Sequence, residues 1–349
     1  MLDSLYSEAI RKKDILNSKV EDIFDEKIDI EKNWNSEKIP PSSIDYIIAA
    51  GDGSFNKKKF LGYNFYAVAA ESLIFNPHDS KLETVESIDL DILPHQKFID
   101  DRLRNMMGVF ELKTAVKTLK DYDVDFYMDD GSILGDLIRP LPYYETVGSD
   151  ILKKIYDITT QSNITSLNFK EEFSHLFEKN KNKEKDLISH LENIERLIVM
   201  KQLLNHNEKI IAISKTSTST DIFHSIIPDM AILDKFTEGE GYSKPVYKKL
   251  NSEVKRDFPV SNNFFRNLWF TIVFARLEKN KNIIKIELPY HANENEIKRI
   301  LSIIKSNSTE GYPFLLKKAH HDVVIKHKDI ESLSQIIEFI DKSGREMLD

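Results

Sequence analysis

Two segments far apart in the chain end an apolar run on the same three residues. "IDYIIAAGDGSFN" (44–56) and "DVDFYMDDGSILG" (123–135) both run into Asp-Gly-Ser. Short apolar runs bounded by such residues read as buried strands, and Asp-Gly is also a common turn pair. Here each Asp directly follows a strongly apolar strand, the end of a sheet where α/β folds gather their ligands. The Gly removes a side chain that would block a phosphate or metal from approaching the backbone. Two strands of one sheet ending this way set Asp52 and Asp130 side by side. Such carboxylates repel, so a shared site implies a divalent cation. Asp129 is a rival to Asp130, because side chains alternate along a strand and only one of the two can face the site. The Gly-Ser that follows Asp130, as it follows Asp52, favours Asp130.

The rest of the pattern predicts a mixed α/β fold. Residues 1 to about 35 read as an amphipathic helix (Leu5, Ile10, Ile15, Val20, Ile23, Phe24) that breaks at Pro40-Pro41. Strands are expected at 44–50, 60–74 and 82–90, the first two joined as a hairpin through "NKKK". A helix over about 97–120 leads to a strand at 124–128. Residues 150–205 are helical in pattern, with a charged middle "EKNKNKEKD" that reads as a solvated surface. Strands follow at 209–214, 229–234, 267–278 and 282–289. The chain closes with helices at 293–306, 313–321 and 329–342 and a short strand at 323–326. Strand hairpins followed by strand–helix alternation indicate a mixed sheet flanked by helices.

Composition narrows the chemistry. The 349 residues include no cysteine, which excludes disulfides, thiol catalysis, iron–sulfur clusters and Cys-ligated zinc. A metal would sit on Asp, Glu, His or backbone oxygen, which points to ions such as Mg²⁺ or Mn²⁺. The N-terminus lacks an apolar signal core and no run reaches the length of a membrane span, so a soluble, cytoplasmic protein is expected. The net charge of −8 argues against a general nucleic-acid coat but permits a local basic groove.

Further candidates lie between and after the twin motifs. In "RLRNMMGVFELKTAVKTLKD", Met107, Glu111, Ala115 and Leu119 fall four apart, on one helical face. A Glu in such a stripe is unusual unless paired or metal-bound, or else lies at its margin and reaches solvent. In "EGYPFLLKKAHHDVVIKHKD", Tyr312, Leu316, His320 and Val323 or Val324 share a face, with His321 as the exposed neighbour. His320 there is either a satisfied core residue or a ligand. Lys215, after the strand "KIIAIS", suits neutralisation of phosphate, or is a plain surface lysine. Lys57-Lys58-Lys59, Lys248-Lys249 and Lys317-Lys318 could add phosphate contacts.

"AAGDGSFN", "MGVFELKTA", "FYMDDGSILG", "IAISKTSTS" and "GYPFLLKKAHHD", in that order, resemble the NurA nucleases, over roughly residues 44–327. The resemblance implies a ribonuclease H-like core, with residues 1–40 as an N-terminal helix that could contact a second subunit. Residues 41–349 would be the nuclease domain, with a helical insertion at about 150–206. It implies that Asp52, Glu111 and Asp130 are metal-binding carboxylates and His320 the last active-site ligand, with Tyr312 beside the site and Lys215 facing the phosphates. Two ions, Mn²⁺ usually and Mg²⁺ as the alternative, would be bridged by Asp52 and drive in-line phosphodiester hydrolysis. It further implies 5′–3′ exonuclease and single-strand endonuclease activity in DNA end resection, a homodimer, and a HerA-type hexameric ATPase as partner. Two departures are the Ala-Gly before Asp52 and the doubled Asp129-Asp130. An actin-like ATPase would need a second glycine-rich loop, and no glycine cluster follows residue 150. A non-catalytic scaffold of the same fold that docks an ATPase ring is the remaining alternative.

Overall fold

The computed structural model describes residues 2–24, 28–95, 97–140, 147–160, 165–180 and 183–338. Helix α1 (Leu2–Ile23) precedes a two-residue strand β1 (Trp34–Asn35) and three long strands, β2 (Ile48–Lys59), β3 (Tyr63–Asn76) and β4 (Lys81–Pro94). Helix α2 (Ile99–Asp121) crosses to β5 (Phe126–Asp130), with α3 (Ile133–Ile138) directly behind it. A helical stretch follows as α4 (Ser149–Thr160), α5 (Phe169–Glu172), α6 (Ser174–Lys179) and α7 (Glu184–Leu204). Next come β6 (Ile210–Ser214), α8 (Asp229–Phe236), β7 (Gly241–Ser243), β8 (Val246–Lys249), α9 (Leu250–Glu253) and α10 (Asn262–Arg266). The strands β9 (Trp269–Arg276) and β10 (Ile284–Leu288) lead to α11 (Glu294–Ser306) and a small hairpin, β11 (Ser308–Thr309) with β12 (Tyr312–Pro313). Helices α12 (Phe314–Val323) and α13 (His327–Ile336) complete the described chain.

Ten described strands form one sheet, nine in the order β1-β7-β9-β10-β6-β5-β2-β3-β4 and β8 paired to β9 off that path. Strands β2, β5 and β6 are parallel; the other pairings are antiparallel. Three antiparallel strands beside two parallel ones make the expected ribonuclease H-like mixed sheet. Its two faces are packed separately. Ala49, Tyr127, Ile210 and Ala212 meet α2 and α7, while Ile48, Ala50, Phe126, Met128, Ile211 and Ile213 meet α11 and α12. Full burial of each Ile, Phe or Met among them contributes about 1.5–3 kcal/mol. Because the central strands are covered on both sides, they read as unbroken apolar runs rather than alternating ones.

Several expectations need correction. The first strand does not stop at residue 50 but runs to Lys59, in register with β3 from Ile48↔Phe75 to Lys59↔Asn64. "NKKK" is therefore strand, and the turn is at 60–62. Those lysines stay extended because their heads find partners: Lys57 pairs with Asp100, and Lys58 Nζ donates to Ser334 Oγ at 3.2 Å. Residues 229–234 are helix α8, not strand. Ile232 and Leu233 are buried on one side, and the Asp229 carboxylate accepts from the Ile222 and Phe223 N–H groups at 3.1 Å each. No strand forms at 323–326, because Ile325 bonds to side chains of β2 instead of joining a ladder. Helix α1 ends at Ile23, short of residue 35, and its apolar positions are exposed. The expected ends of the last helix (339–342) and part of the charged run (181–182) lie outside the described residues. No helix among them is long and apolar enough to cross a membrane.

The helical stretch is anchored by a buried ion pair. Lys113 on α2 donates to Glu195 Oε1 on α7 at 2.6 Å and to the Thr165 carbonyl at 2.6 Å, while Glu195 also takes the Ser166 hydroxyl at 2.9 Å. Glu195→Ala would leave the Lys113 ammonium buried and unpaired, a loss of about 3–5 kcal/mol in denaturant unfolding. A loss below about 1 kcal/mol would mean that water reaches the pair.

Glu71 lies opposite Asp52 in the β2–β3 register, and its Oε2 has no hydrogen-bond partner. Burial first, then Asp322 and Glu86, push its carboxyl up to about 7. A carboxyl raised in the fold holds its proton longer than in the unfolded chain. It therefore destabilises progressively as pH rises from the ordinary carboxylate range through its folded value. Glu71→Gln should match the wild type near pH 5 and become the more stable protein by about pH 8. Parallel melting curves at both pH values would contradict this.

Candidate metal centre

The site lies where β2 outruns its neighbour. The β2–β5 pairing ends at Gly51↔Asp129 and the β5–β6 pairing at Asp130↔Ile213. Asp52, the end of β5 and Lys215 just past β6 thus border one opening at the carboxyl ends of three parallel strands. Asp52 is not at the end of its own strand, as the sequence suggested, but at the end of its parallel pairing.

Alternation then sorts the carboxylates. Asp52 and Asp130 share the face covered by α12, with the apolar Ala50 and Met128 two residues before them. Oxygens of Asp52 and Asp130 and a ring nitrogen of His320 all lie within 4.8 Å of one another. His320 Nδ1 is 2.6 Å from Asp52 Oδ2, and since an ionised carboxylate only accepts, the ring donates there. Asp52 Oδ1 accepts its neighbour's N–H, from Gly53, at 2.8 Å. Asp130 is gripped at both oxygens: Lys215 Nζ at 2.6 Å on Oδ2 and the Tyr312 hydroxyl at 3.3 Å on Oδ1. The Lys215 ammonium also sits 5.1 Å from the Tyr312 ring centre. Tyr312 is presented by the β11–β12 hairpin, whose turn needs Gly311 at φ 79°.

Glu111 and Asp129 lie toward the other face. Gly53 points at α2, and a Cβ there would fall 2.4 Å from Glu111 Oε1. Likewise a Cβ on Gly51 would strike the Tyr127 hydroxyl, which bonds Ser72 Oγ at 2.8 Å. These glycines make room for the protein's own side chains rather than for a ligand. Glu111 stands outside the group formed by Asp52, Asp130 and His320, close enough to sense both Asp129 and Asp52. Beyond it, Arg196 of α7 pairs with Asp136.

The electrostatics are those of crowded, buried acids that Lys215 and His320 only partly offset. Burial first, then Asp130, raise the Asp52 carboxyl, against the opposing pull of His320 and the Gly53 N–H. Burial first, then Asp129 and Asp52, hold Glu111 well above the usual carboxylate range. Burial with Asp136, Asp130, Asp52 and Glu287 pushes Asp129 up to about 7. Burial and Asp130 raise the Tyr312 phenol. A hard cation with oxygen and imidazole ligands fits this donor set.

The hydroxyls of the two Asp-Gly-Ser motifs act as clamps that sequence reasoning missed. Ser54 Oγ accepts the Ile325 N–H at 3.0 Å and Asn56 donates to the Ile325 carbonyl at 2.9 Å, tying the exit of α12 to the strand that carries Asp52. Ser132 caps α3, accepting from the Gly135 N–H at 2.9 Å, and donates to Glu287. The helix of His320 also differs from expectation. Its buried stripe is Leu315, Leu316, Ala319 and Val323; Tyr312 precedes the helix, and the His320 side chain is 57% exposed, so His321 is not the sole exposed member. Of the lysine clusters, Lys57, Lys248, Lys317 and Lys318 are paired with carboxylates of the chain itself. A cavity of about 410 Å³ opens beside the site, walled by Lys215, Lys281, Tyr312, Lys317 and His320.

Comparison with known proteins agrees with this fold. The family model described as "NurA domain" matches residues 46–325. The chain is 31% identical to the probable DNA double-strand break repair nuclease NurA of Methanocaldococcus jannaschii, covering 92% of this chain and 85% of that protein. It is 26% identical to the DNA double-strand break repair nuclease NurA of Saccharolobus solfataricus, over 88% and 85%. Among solved structures, that of the NurA nuclease from Sulfolobus solfataricus superposes with a TM-score of 0.78 at 22% identity, over 97% of this chain and 96% of that one. A NurA structure bound to dAMP and manganese gives 0.62 at 17% identity, over 99% and 96%. On the match of fold, sequence and extent, the chain belongs to the NurA family.

Proposed function

We propose that this chain is a Mn²⁺-dependent DNA nuclease that hydrolyses phosphodiester bonds during end resection in double-strand break repair. The observation that carries the reading is the convergence of Asp52, Asp130 and His320 within 4.8 Å, beside a lysine, at the carboxyl ends of the central strands. Membership of a family whose curated relatives are named repair nucleases supports it, as does the NurA structure determined with manganese.

Asp52, Asp130 and His320 would hold the ion, with Glu111 reaching the same region from α2 if a second ion binds. The imidazole in that set favours Mn²⁺ over Mg²⁺. An ion held there would supply the Lewis acidity that phosphodiester hydrolysis requires. The residues of the chain do the rest. Lys215 offers a compact cation to the phosphate, and Tyr312 orients the Asp130 carboxylate that faces it. His320, exposed on one edge, would serve the ion either as a ligand through a ring nitrogen or as a proton carrier beside it. Lys215, Lys281 and Lys317 line the cavity with Glu310 between the last two, and on exchanging their carboxylate partners for phosphate they would give an acidic protein a local surface for DNA.

5′–3′ exonuclease and single-strand endonuclease activity, a homodimer and a HerA-type ATPase partner extend the family resemblance. Light scattering that gives a monomer mass would remove the dimer, and failure to co-elute with such an ATPase would remove the partner. End-labelled DNA read for product polarity tests the activities.

Asp52→Ala and Asp130→Ala should each abolish metal-dependent DNA cleavage while leaving a folded protein, and Lys215→Ala should slow it by about 10²-fold. Cleavage that persists in both aspartate variants, or in excess chelator, would contradict the reading. Mn²⁺ at 100 times its Kd should stabilise the wild type by about 2.7 kcal/mol and leave Asp52→Ala unmoved. Because the Asp52 carboxyl is raised, protons compete with the ion, so Mn²⁺ affinity should fall as pH drops. Affinity that is flat with pH in a calorimetric titration would mean that Asp52 is not a ligand.

A further inference from the structure

Strand β10 carries two ionisable side chains in an otherwise aliphatic run, "IIKIEL". Ile284, Ile286 and Leu288 pack on the α11 and α12 side, so Lys285 and Glu287 turn to the opposite face. Glu287 is fully buried and Lys285 nearly so. Burying two ions costs several kcal/mol each unless they are paired and well hydrogen-bonded. They meet at 2.6 Å between Lys285 Nζ and Glu287 Oε1.

The carboxylate does more than neutralise its neighbour. Glu287 lies opposite Ala212 on β6, which lies opposite Asp129 on β5, so it reaches across one strand to the turn after Asp130. Its Oε1 accepts the Ser132 hydroxyl at 2.6 Å and its Oε2 the Leu134 N–H at 3.1 Å. Strand β6 pins the same turn, where the Gly131 N–H donates to the Ile213 carbonyl at 3.0 Å and Ser214 Oγ donates to the Gly131 carbonyl at 2.7 Å. Glu287 thus grips both the hydroxyl of the second Asp-Gly-Ser and the first turn of α3. It touches none of Asp52, Asp130 and His320.

We propose that Glu287 is a positioning residue for Asp130. Through Ser132 and the Leu134 N–H it fixes the turn that aims the Asp130 carboxylate at Asp52 and His320, and Lys285, bonded to Oε1, holds the Glu287 side chain in place. The inference rests on reading those three residues as a cation site. A simple plug in the sheet would need the charge pair but not the bonds to the turn.

Mn²⁺ binding, measured by the loss of the free-ion paramagnetic resonance signal, separates the two roles. Glu287→Gln and Ser132→Ala should weaken Mn²⁺ binding about 10-fold, within the range usual for partners one step removed from a metal ligand. They should raise the Mn²⁺ needed for half-maximal DNA cleavage in parallel, with KM for DNA unchanged. Ser132→Thr, which keeps the hydroxyl, should stay within about threefold of the wild type. Wild-type Mn²⁺ affinity in both Glu287→Gln and Ser132→Ala, whatever their melting temperatures, would overturn the proposal. If Glu287→Gln fails to fold, the Ser132 pair decides alone. Asp130→Ala is the control: if it binds Mn²⁺ like the wild type, the cation site itself is wrong and not merely its support.

Discussion

Two carboxylates on adjacent strands, turned to the same face of a sheet, are the constraint around which this molecule is arranged. Like charges about 4 Å apart repel by about 4 kcal/mol in a partly screened protein environment. Lys215 at Asp130, and His320 and the Gly53 N–H at Asp52, offset part of this. The rest is carried by the sheet, whose central strands are packed on both faces by α2, α7, α11 and α12. The apolar runs before each aspartate therefore serve two ends: they hold the strands parallel, and they commit Asp52 and Asp130 to one face and Asp129 to the other.

The triplet Asp-Gly-Ser occurs twice because one geometric problem arises twice, yet its parts are used differently. Each Asp faces the opening. Gly53 yields its space to Glu111, whereas a Cβ on Gly131 would meet only Asp129 Oδ2, at 3.8 Å. Ser54 fastens the helix that carries His320, and Ser132 fastens the turn that follows Asp130. Both hydroxyls stabilise the positions of groups they do not resemble chemically. A carboxylate site built against its own repulsion needs such rigid backing, because any slack would be taken up by the acids moving apart.

Much of this was legible in the sequence. The mixed sheet followed from the spacing of apolar runs, and the pairing of Asp52 with Asp130 from their matched contexts. The helical stretch before β6 was visible as a helical period. What failed did so for identifiable reasons. "DMAILD" mimics a strand because its four central residues are apolar, and only the capture of the Asp229 carboxylate by the 222–223 backbone, which no periodicity shows, reveals the helix. "NKKK" resembles a loop because its partners, such as Asp100 and Ser334, lie far along the chain. Glu287 was overlooked although a charged residue inside "IIKIELP" is itself a signal: an ion amid aliphatic residues must have partners. Glu111 was readable as an acid on an apolar helix, but its approach from the far side of the sheet depends on Gly53, which no helical periodicity encodes.

Diffraction from crystals soaked in Mn²⁺, with anomalous scattering recorded at the manganese edge, tests the central claim most directly. The account predicts a peak within bonding distance of carboxylate oxygens of both Asp52 and Asp130, with the His320 ring in or beside the coordination sphere. A peak bound only by Glu111 and Asp129 on the α2 side, or none near position 52, would contradict it.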